Sequence, residues 1–268
     1  MKLWEDERQC YIRAAMEQNT PEENEVLKKR LEEIDWSVFE HVDRKETVNE
    51  RGVFAPLEAV ELAEIRAREQ EFREIGLRTV REGKVGAVLL AGGQGTRLGL
   101  DKPKGTLNIG INRTLYLFEQ LVRNLMDVTE EAGAYVPLYI MTSNINDKDT
   151  KEFFEEHDYF GYPREEVRFF VQEMEPACDY EKRVLMESGT EPAMSPNGNG
   201  GWFGSMVSAG LLPELQQKGI EWLNVFAVDN CLQRIADPLF IGATIAYGRE
   251  SGAKVVRKAA PDEKVGVL

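Results

Sequence analysis

The sequence predicts an α/β fold: an open sheet, mixed but mainly parallel, preceded by a helical region. Three observations carry this expectation. Short, near-continuously apolar runs recur at VGAVLLA (85–91), VPLYIMT (136–142), VRFFVQ (167–172), WLNVFAV (222–228) and AKVVRK (253–258). Segments with helical periodicity lie between them, such as TLYLFEQLVRNLMDV (114–128) and DPLFIGATIAYGRE (237–250). Strands apolar on both faces and alternating with helices belong to parallel sheets covered on both sides. The third observation is that residues 1 to about 80 are charged and amphipathic at helical spacing.

The elements follow in order. Thr20-Pro21-Glu22-Glu23 offers a capping residue, a proline at the first helical position and a capping-box glutamate. Leu27, Leu31 and Ile34 follow at helical spacing, and a second helix is expected from Leu57 to about Glu74. The charges on these helices read as a solvated face. The expected division is a helical region over 1–80 and a sheet domain over 81–268. The stretch ESGTEPAMSPNGNGG (187–201) lacks periodicity and reads as a long polar loop.

Composition narrows the function. The 268 residues carry 33 Lys plus Arg against 47 Asp plus Glu, a formal charge of −14. That balance argues against a nucleic-acid backbone or an anionic membrane as the main partner. Cys10, Cys178 and Cys231 are widely spaced and odd in number, which fits neither a disulfide framework nor a zinc-ligand pattern. No apolar run approaches the ~18 residues of a membrane span, and MKLWEDERQC has no signal-peptide core. The expectation is a soluble, cytoplasmic protein.

Ligands of open α/β sheets sit beyond the carboxyl ends of the strands. There, after the first run, come Gly92, Gly93, Gly95 and Gly99. Glycines let backbone N–H groups approach an anion with no Cβ in the way. A dinucleotide loop would need a glycine at position 98, which is Leu98, and no Gly-Lys-Ser/Thr ending is present for a P-loop. Arg97, Lys102 and Lys104 add three positive charges, suited to a triphosphate. The plain alternative is a glycine turn bearing surface cations.

LAGGQGTRLG (90–99) followed by PKG (103–105) resembles the signature of the eukaryotic-type UDP-sugar pyrophosphorylases, in particular the N-acetylhexosamine type. GLRTVREGKVGAVLL (76–90), MTSNINDKDTKEFFEEHDYFG (141–161), FFVQEMEPA (169–177), SPNGNGGWFGSM (195–206) and VDNCLQRIADPLFIG (228–242) agree in order. The resemblance covers roughly residues 70–268. It implies a Rossmann-like sheet of the nucleotide-diphospho-sugar transferase type and an Mg²⁺-dependent uridylyltransferase. The implied reaction joins UTP to a sugar 1-phosphate, releasing pyrophosphate, by in-line attack of the sugar phosphate oxygen on the α-phosphorus. No protein nucleophile is then required, and the sequence has no Gly-x-Ser-x-Gly elbow.

The resemblance assigns Arg97 and Lys104 to the phosphates, and Ala91, Gly92, Gly93, Gly95 and Thr96 to the nucleotide. It assigns Gln172 and Gly198 to the uracil, Asn199 to the sugar with its acetamido group, and Asp229 to Mg²⁺. Plain alternatives stand beside these: a strand-end amide for Gln172, an Asn-Gly turn at 198–201, a helix cap for Asp229. Asn197 stands where the family usually carries aspartate. His157 reads as a packed histidine rather than a general base, and Phe153, Phe154, Phe169 and Phe170 as core. Family members continue beyond the position of Leu268, so part of the sheet and of the sugar pocket is expected to be missing. The alternatives carried forward are another UDP-sugar product such as UDP-glucose, and a module that binds UTP or UDP-sugar without turnover. A dinucleotide oxidoreductase is disfavoured by Leu98.

Overall fold

The computed structural model describes residues 3–39, 59–95, 99 and 101–263. Along the chain these form α1 (Cys10–Gln18), α2 (Pro21–Glu33), α3 (Leu62–Ala67), α4 (Glu69–Arg81), β1 (Val85–Leu90), α5 (Leu117–Ala132), β2 (Leu138–Thr142) and α6 (Asp147–Glu156). There follow β3 (Val167–Val171), β4 (Met174–Pro176), β5 (Met194–Pro196), α7 (Trp202–Ser208), α8 (Leu212–Lys218), β6 (Trp222–Ala227) and α9 (Pro238–Ala246). Two compact units result: Met1–Ala55 with Glu173–Gly201, and Pro56–Gln172 with Trp202–Leu268.

The larger unit holds a four-stranded sheet in the order β3-β2-β1-β6, and every pairing in it is parallel. Alternation along each strand divides its apolar side chains between two faces. Val85, Ala87, Leu89, Leu138 and Ile140 pack with Phe118, Leu121, Leu125 and Val128 of α5. On the other face Val88, Tyr139, Met141 and Phe170 meet Met206 of α7 and Leu215 of α8. Burial on both sides is why β1 and β2 read as unbroken apolar runs. α5 ends as its pattern does, at Gly133 in the left-handed region with φ of +69°.

The expected boundary near residue 80 differs from this division. α4 belongs to the sheet unit because Gly76 and Gly242 let it cross α9 with backbone in contact: a Cβ on Gly76 would strike the Pro238 carbonyl, and one on Gly242 the Phe72 carbonyl. The helix expected from Leu57 to Glu74 is two helices, interrupted at Arg68 and running on to Arg81; Leu57 itself lies outside the described residues.

In the smaller unit the capping box forms as expected. Glu23 N donates to Thr20 Oγ1 at 3.3 Å, and Thr20 N donates to Glu23 Oε2 at 2.8 Å. Leu27 and Leu31 bury against Trp4, Ile12, Ile34 and Val184. Val184 belongs to residues 173–201, where β4 and β5 pair antiparallel and bridges at Cys178–Val184 and Met186–Pro192 extend the ribbon. The polar loop expected at 187–201 is therefore partly strand. The Gln9 side chain joins it to α1: Oε1 accepts from Val184 N at 2.9 Å and Nε2 donates to Lys182 O at 3.1 Å.

Ala253–Lys258 is not the strand its valines suggest. Val255 and Val256 are exposed, and no described strand pairs with them. Strand propensity without a ladder partner does not make a strand. Among the described residues no helix is long and apolar enough to cross a membrane.

Candidate functional site

The site grows out of the carboxyl end of β1. Ala91 N donates to Met141 O at 2.8 Å, extending the ladder by one residue before the glycines turn away. Gly92 faces the end of β3: a Cβ there would stand 2.8 Å from Gln172 Oε1 and 3.5 Å from Thr142 O. That is closer than Cβ contacts in real structures, so this position takes only glycine unless Gln172 moves. Gly95 N donates to Lys102 O at 3.1 Å, and Gln94 bridges to Pro103. The Pro103-Lys104-Gly105 segment thereby folds back on the glycine loop and brings Lys104 Nζ within 3.9 Å of where a Cβ on Gly93 would lie. Gly105 is buried against the Phe118 ring with no room for a side chain.

Lys104 meets the carboxyl end of β6. Its Nζ donates to Asp229 Oδ1 at 2.7 Å, and the two side chains remain 24% and 64% exposed. Asp229 does not cap the following helix; Asp237 does, accepting from Leu239 N at 3.1 Å. The Asp229 turn is held from α5, where Asn124 Nδ2 donates to Cys231 O at 2.9 Å and to Gln233 O at 3.0 Å. Asn230 Oδ1 accepts from Leu232 N at 3.3 Å, which orders the same turn. An ion pair this exposed contributes only about 0–1 kcal/mol to stability, so either partner can be exchanged for a ligand charge at small cost.

Gln172 ends β3. Its N–H donates to Thr142 O at 2.9 Å and the residue is 6% exposed, with its amide against Gly92. Asn146, buried where β2 passes into α6, donates from Nδ2 to Ala91 O at 2.9 Å and to Gly93 O at 3.4 Å. Asn124 and Asn146 escape a reading of the sequence. Their one signal is an amide side chain following a strand or interrupting an apolar helix face, and that signal is shared with many solvent-facing residues.

The structure thus brings Ala91, Gly92, Gly93, Gly95, Lys104, Gln172 and Asp229 into one unit at the carboxyl ends of β1, β3 and β6. Gly198 and Asn199 belong to the other unit. Gly198 adopts φ of +78°, a conformation that suits glycine, and Asn199–Gly201 form a 3₁₀ turn closed by Gly201 N donating to Gly198 O. Thr96 and Arg97 lie outside the described residues. His157 stays out of the site: its Nδ1 bonds Phe153 O at 2.8 Å and its ring packs among Tyr116, Phe153 and Phe160.

Comparison with known proteins finds relatives over most of the chain. The UTP–glucose-1-phosphate uridylyltransferase family model matches residues 20–268. UDP-N-acetylglucosamine diphosphorylase 1 of Arabidopsis thaliana is 36% identical over 269 residues, covering 93% of this chain and 53% of the relative. UDP-N-acetylglucosamine pyrophosphorylase of Saccharomyces cerevisiae is 39% identical over 206 residues, covering 75% of this chain and 43% of the relative. The crystal structure of the Trypanosoma brucei uridine diphosphate N-acetylglucosamine pyrophosphorylase, in complex with an inhibitor, superposes with a TM-score of 0.72 at 29% identity, over 90% of this chain and 52% of that one. The chain spans about half the length of the relatives it matches. With the family model matching residues 20–268, the chain belongs to the UTP–glucose-1-phosphate uridylyltransferase family.

Proposed function

We propose that this chain carries the nucleotide-binding machinery of a uridylyltransferase that joins UTP to N-acetylglucosamine 1-phosphate, giving UDP-N-acetylglucosamine and pyrophosphate. The observation that carries this reading is the meeting of Lys104 with Asp229 beside Gly93: a cation for phosphates and a carboxylate for a metal at one glycine loop. The relatives' names supply the sugar. In the proposed reaction a phosphate oxygen of the sugar 1-phosphate forms a bond to the α-phosphorus of UTP. The bond from that phosphorus to the bridging oxygen breaks, and pyrophosphate leaves with the electron pair. Catalysis rests on position and charge. Lys104 and Arg97 neutralise phosphate oxygens, the N–H groups of the glycine loop line the nucleotide, and Gln172 offers the uracil edge one donor and one acceptor.

Mg²⁺ suits the donor set. Among the described residues no cluster of three or more His, Cys, Asp or Glu side chains could hold a metal by itself. Mg²⁺ is held by one or two carboxylates together with substrate phosphates and water, and the exposed Asp229 matches that demand. When bound, the ion neutralises phosphate charge and draws the polyphosphate into position. We place the reaction in the cytoplasm, in keeping with three cysteines that are all unpaired.

The test is pyrophosphate release from UTP and Mg²⁺ with N-acetylglucosamine 1-phosphate, glucose 1-phosphate or no sugar, alongside calorimetry of UTP binding. Release with the N-acetyl sugar supports the reading. Faster release with glucose 1-phosphate favours a UDP-glucose enzyme, the reading suggested by the description of the matched family. UTP binding without release assigns the chain to nucleotide capture alone.

A further inference from the structure

Asn146 stands at the position that caps α6, yet its side chain makes no capping bond to that helix. Asparagine at this position ordinarily accepts from an N–H of the first turn. Here the side chain is fully buried and turned the other way. Its Oδ1 accepts from Ser143 N at 2.8 Å, while its Nδ2 donates to Ala91 O at 2.9 Å and to Gly93 O at 3.4 Å. With an N–H at one end and two carbonyls at the other, the partners leave the amide a single orientation. A side chain withdrawn from its ordinary role and spent on a loop that is 53 residues earlier in the chain calls for a function of that loop.

We propose that Asn146 is a positioning residue that turns backbone N–H groups of the glycine loop toward the phosphates of the nucleotide, an inference that rests on the nucleotide reading above. In a trans peptide the C=O and the following N–H point in opposite directions, and no cis peptide is present among the described residues. Drawing the Ala91 carbonyl toward Asn146 turns the Gly92 N–H away from it. Drawing the Gly93 carbonyl the same way does likewise to the Gln94 N–H. Two N–H groups, one peptide apart, then leave the loop on the side opposite the β2–α6 turn, and Gly92 and Gly93 add no Cβ to obstruct an anion. Such paired donors form a cradle for negative charge. Fixing them before the ligand arrives removes a cost of reorganisation on binding.

The experiment compares Asn146→Asp and Asn146→Ser with the parent chain, measuring UTP affinity by calorimetry, uridine affinity by NMR titration, and thermal melting. Asn146→Asp keeps the shape but sets a carboxylate against two carbonyls; Asn146→Ser keeps a small polar group and remains usable where the aspartate variant fails to fold. The expected result is a loss of UTP affinity of about tenfold or more with uridine affinity unchanged, because only the phosphates meet the reoriented N–H groups. Equal losses for UTP and uridine, or no loss for either in a folded variant, overturn the positioning role. A parent chain that binds neither ligand overturns the nucleotide reading and this role with it.

Discussion

Lys104 and Asp229, 125 residues apart in the chain, share a 2.7 Å contact between Nζ and Oδ1 at the carboxyl ends of the parallel strands. In this pair the group proposed for phosphates and the group proposed for Mg²⁺ neutralise each other. If Asp229 holds the ion as proposed, Lys104 would have to leave the carboxylate and its ammonium would be open to a phosphate, so the two ligands should favour one another. Lys104→Met should raise Mn²⁺ affinity in the absence of nucleotide by a few fold, about the factor of five that ~1 kcal/mol represents, while weakening UTP. Electron paramagnetic resonance titration of Mn²⁺ reads the first effect and calorimetry the second. Unchanged Mn²⁺ affinity in the variant would mean that the pair does not restrain the metal.

Gly92 and Gln172 are coupled in a similar way. A Cβ at position 92 would lie 2.8 Å from Gln172 Oε1, so Gly92→Ala must displace the amide. Gly92→Ala and Gln172→Ala are both expected to relax the preference for UTP over CTP and ATP, measured by competition. If Gln172→Ala keeps full selectivity, Gln172 has no part in the base site.

Arg97→Ala should lower turnover more than it weakens uridine nucleotide binding, because charge that develops on departing pyrophosphate is met only in the transition state. The comparison is kcat against the UTP dissociation constant. Equal losses in both would assign Arg97 to ground-state binding.

Legibility in the sequence follows the range of the interactions. β1, its glycine loop and α5 are readable because local spacing alone sets them: Leu117, Leu121, Leu125 and Val128 fall on one helix face and are buried together. The pairing of Lys104 with Asp229 is not readable, since it depends on β1 and β6 being neighbours, which chain order does not disclose. The association of residues 173–201 with α1 and α2 is hidden for a different reason. It rests on Val184 and on a buried glutamine, Gln9, whose side chain stands in for a strand partner, and neither leaves a periodic trace. Val255 and Val256 mislead in the opposite sense, showing strand composition with no described strand beside them to pair with.

Glu175, on β4, makes the smaller unit sensitive to pH. Partial burial raises its pKa above the ordinary glutamate value of 4.5, and the nearby charges of Asp35 and Glu173 push the same way. The folded state therefore holds this proton more tightly than the unfolded chain, and stability falls as pH rises from the ordinary glutamate value through the raised one. Below that window the acid is protonated in both states and no penalty remains; above it the full penalty is present. Glu175→Gln, which keeps the shape and removes the charge, should raise the melting temperature at neutral pH. The gain should shrink with acidification and vanish below about pH 4. Melting curves of the two proteins from pH 4 to 7.5 measure this difference. A gain independent of pH would trace the effect to packing or hydrogen bonding of the amide, because charge repulsion among Glu175, Asp35 and Glu173 must disappear once the carboxyl is protonated.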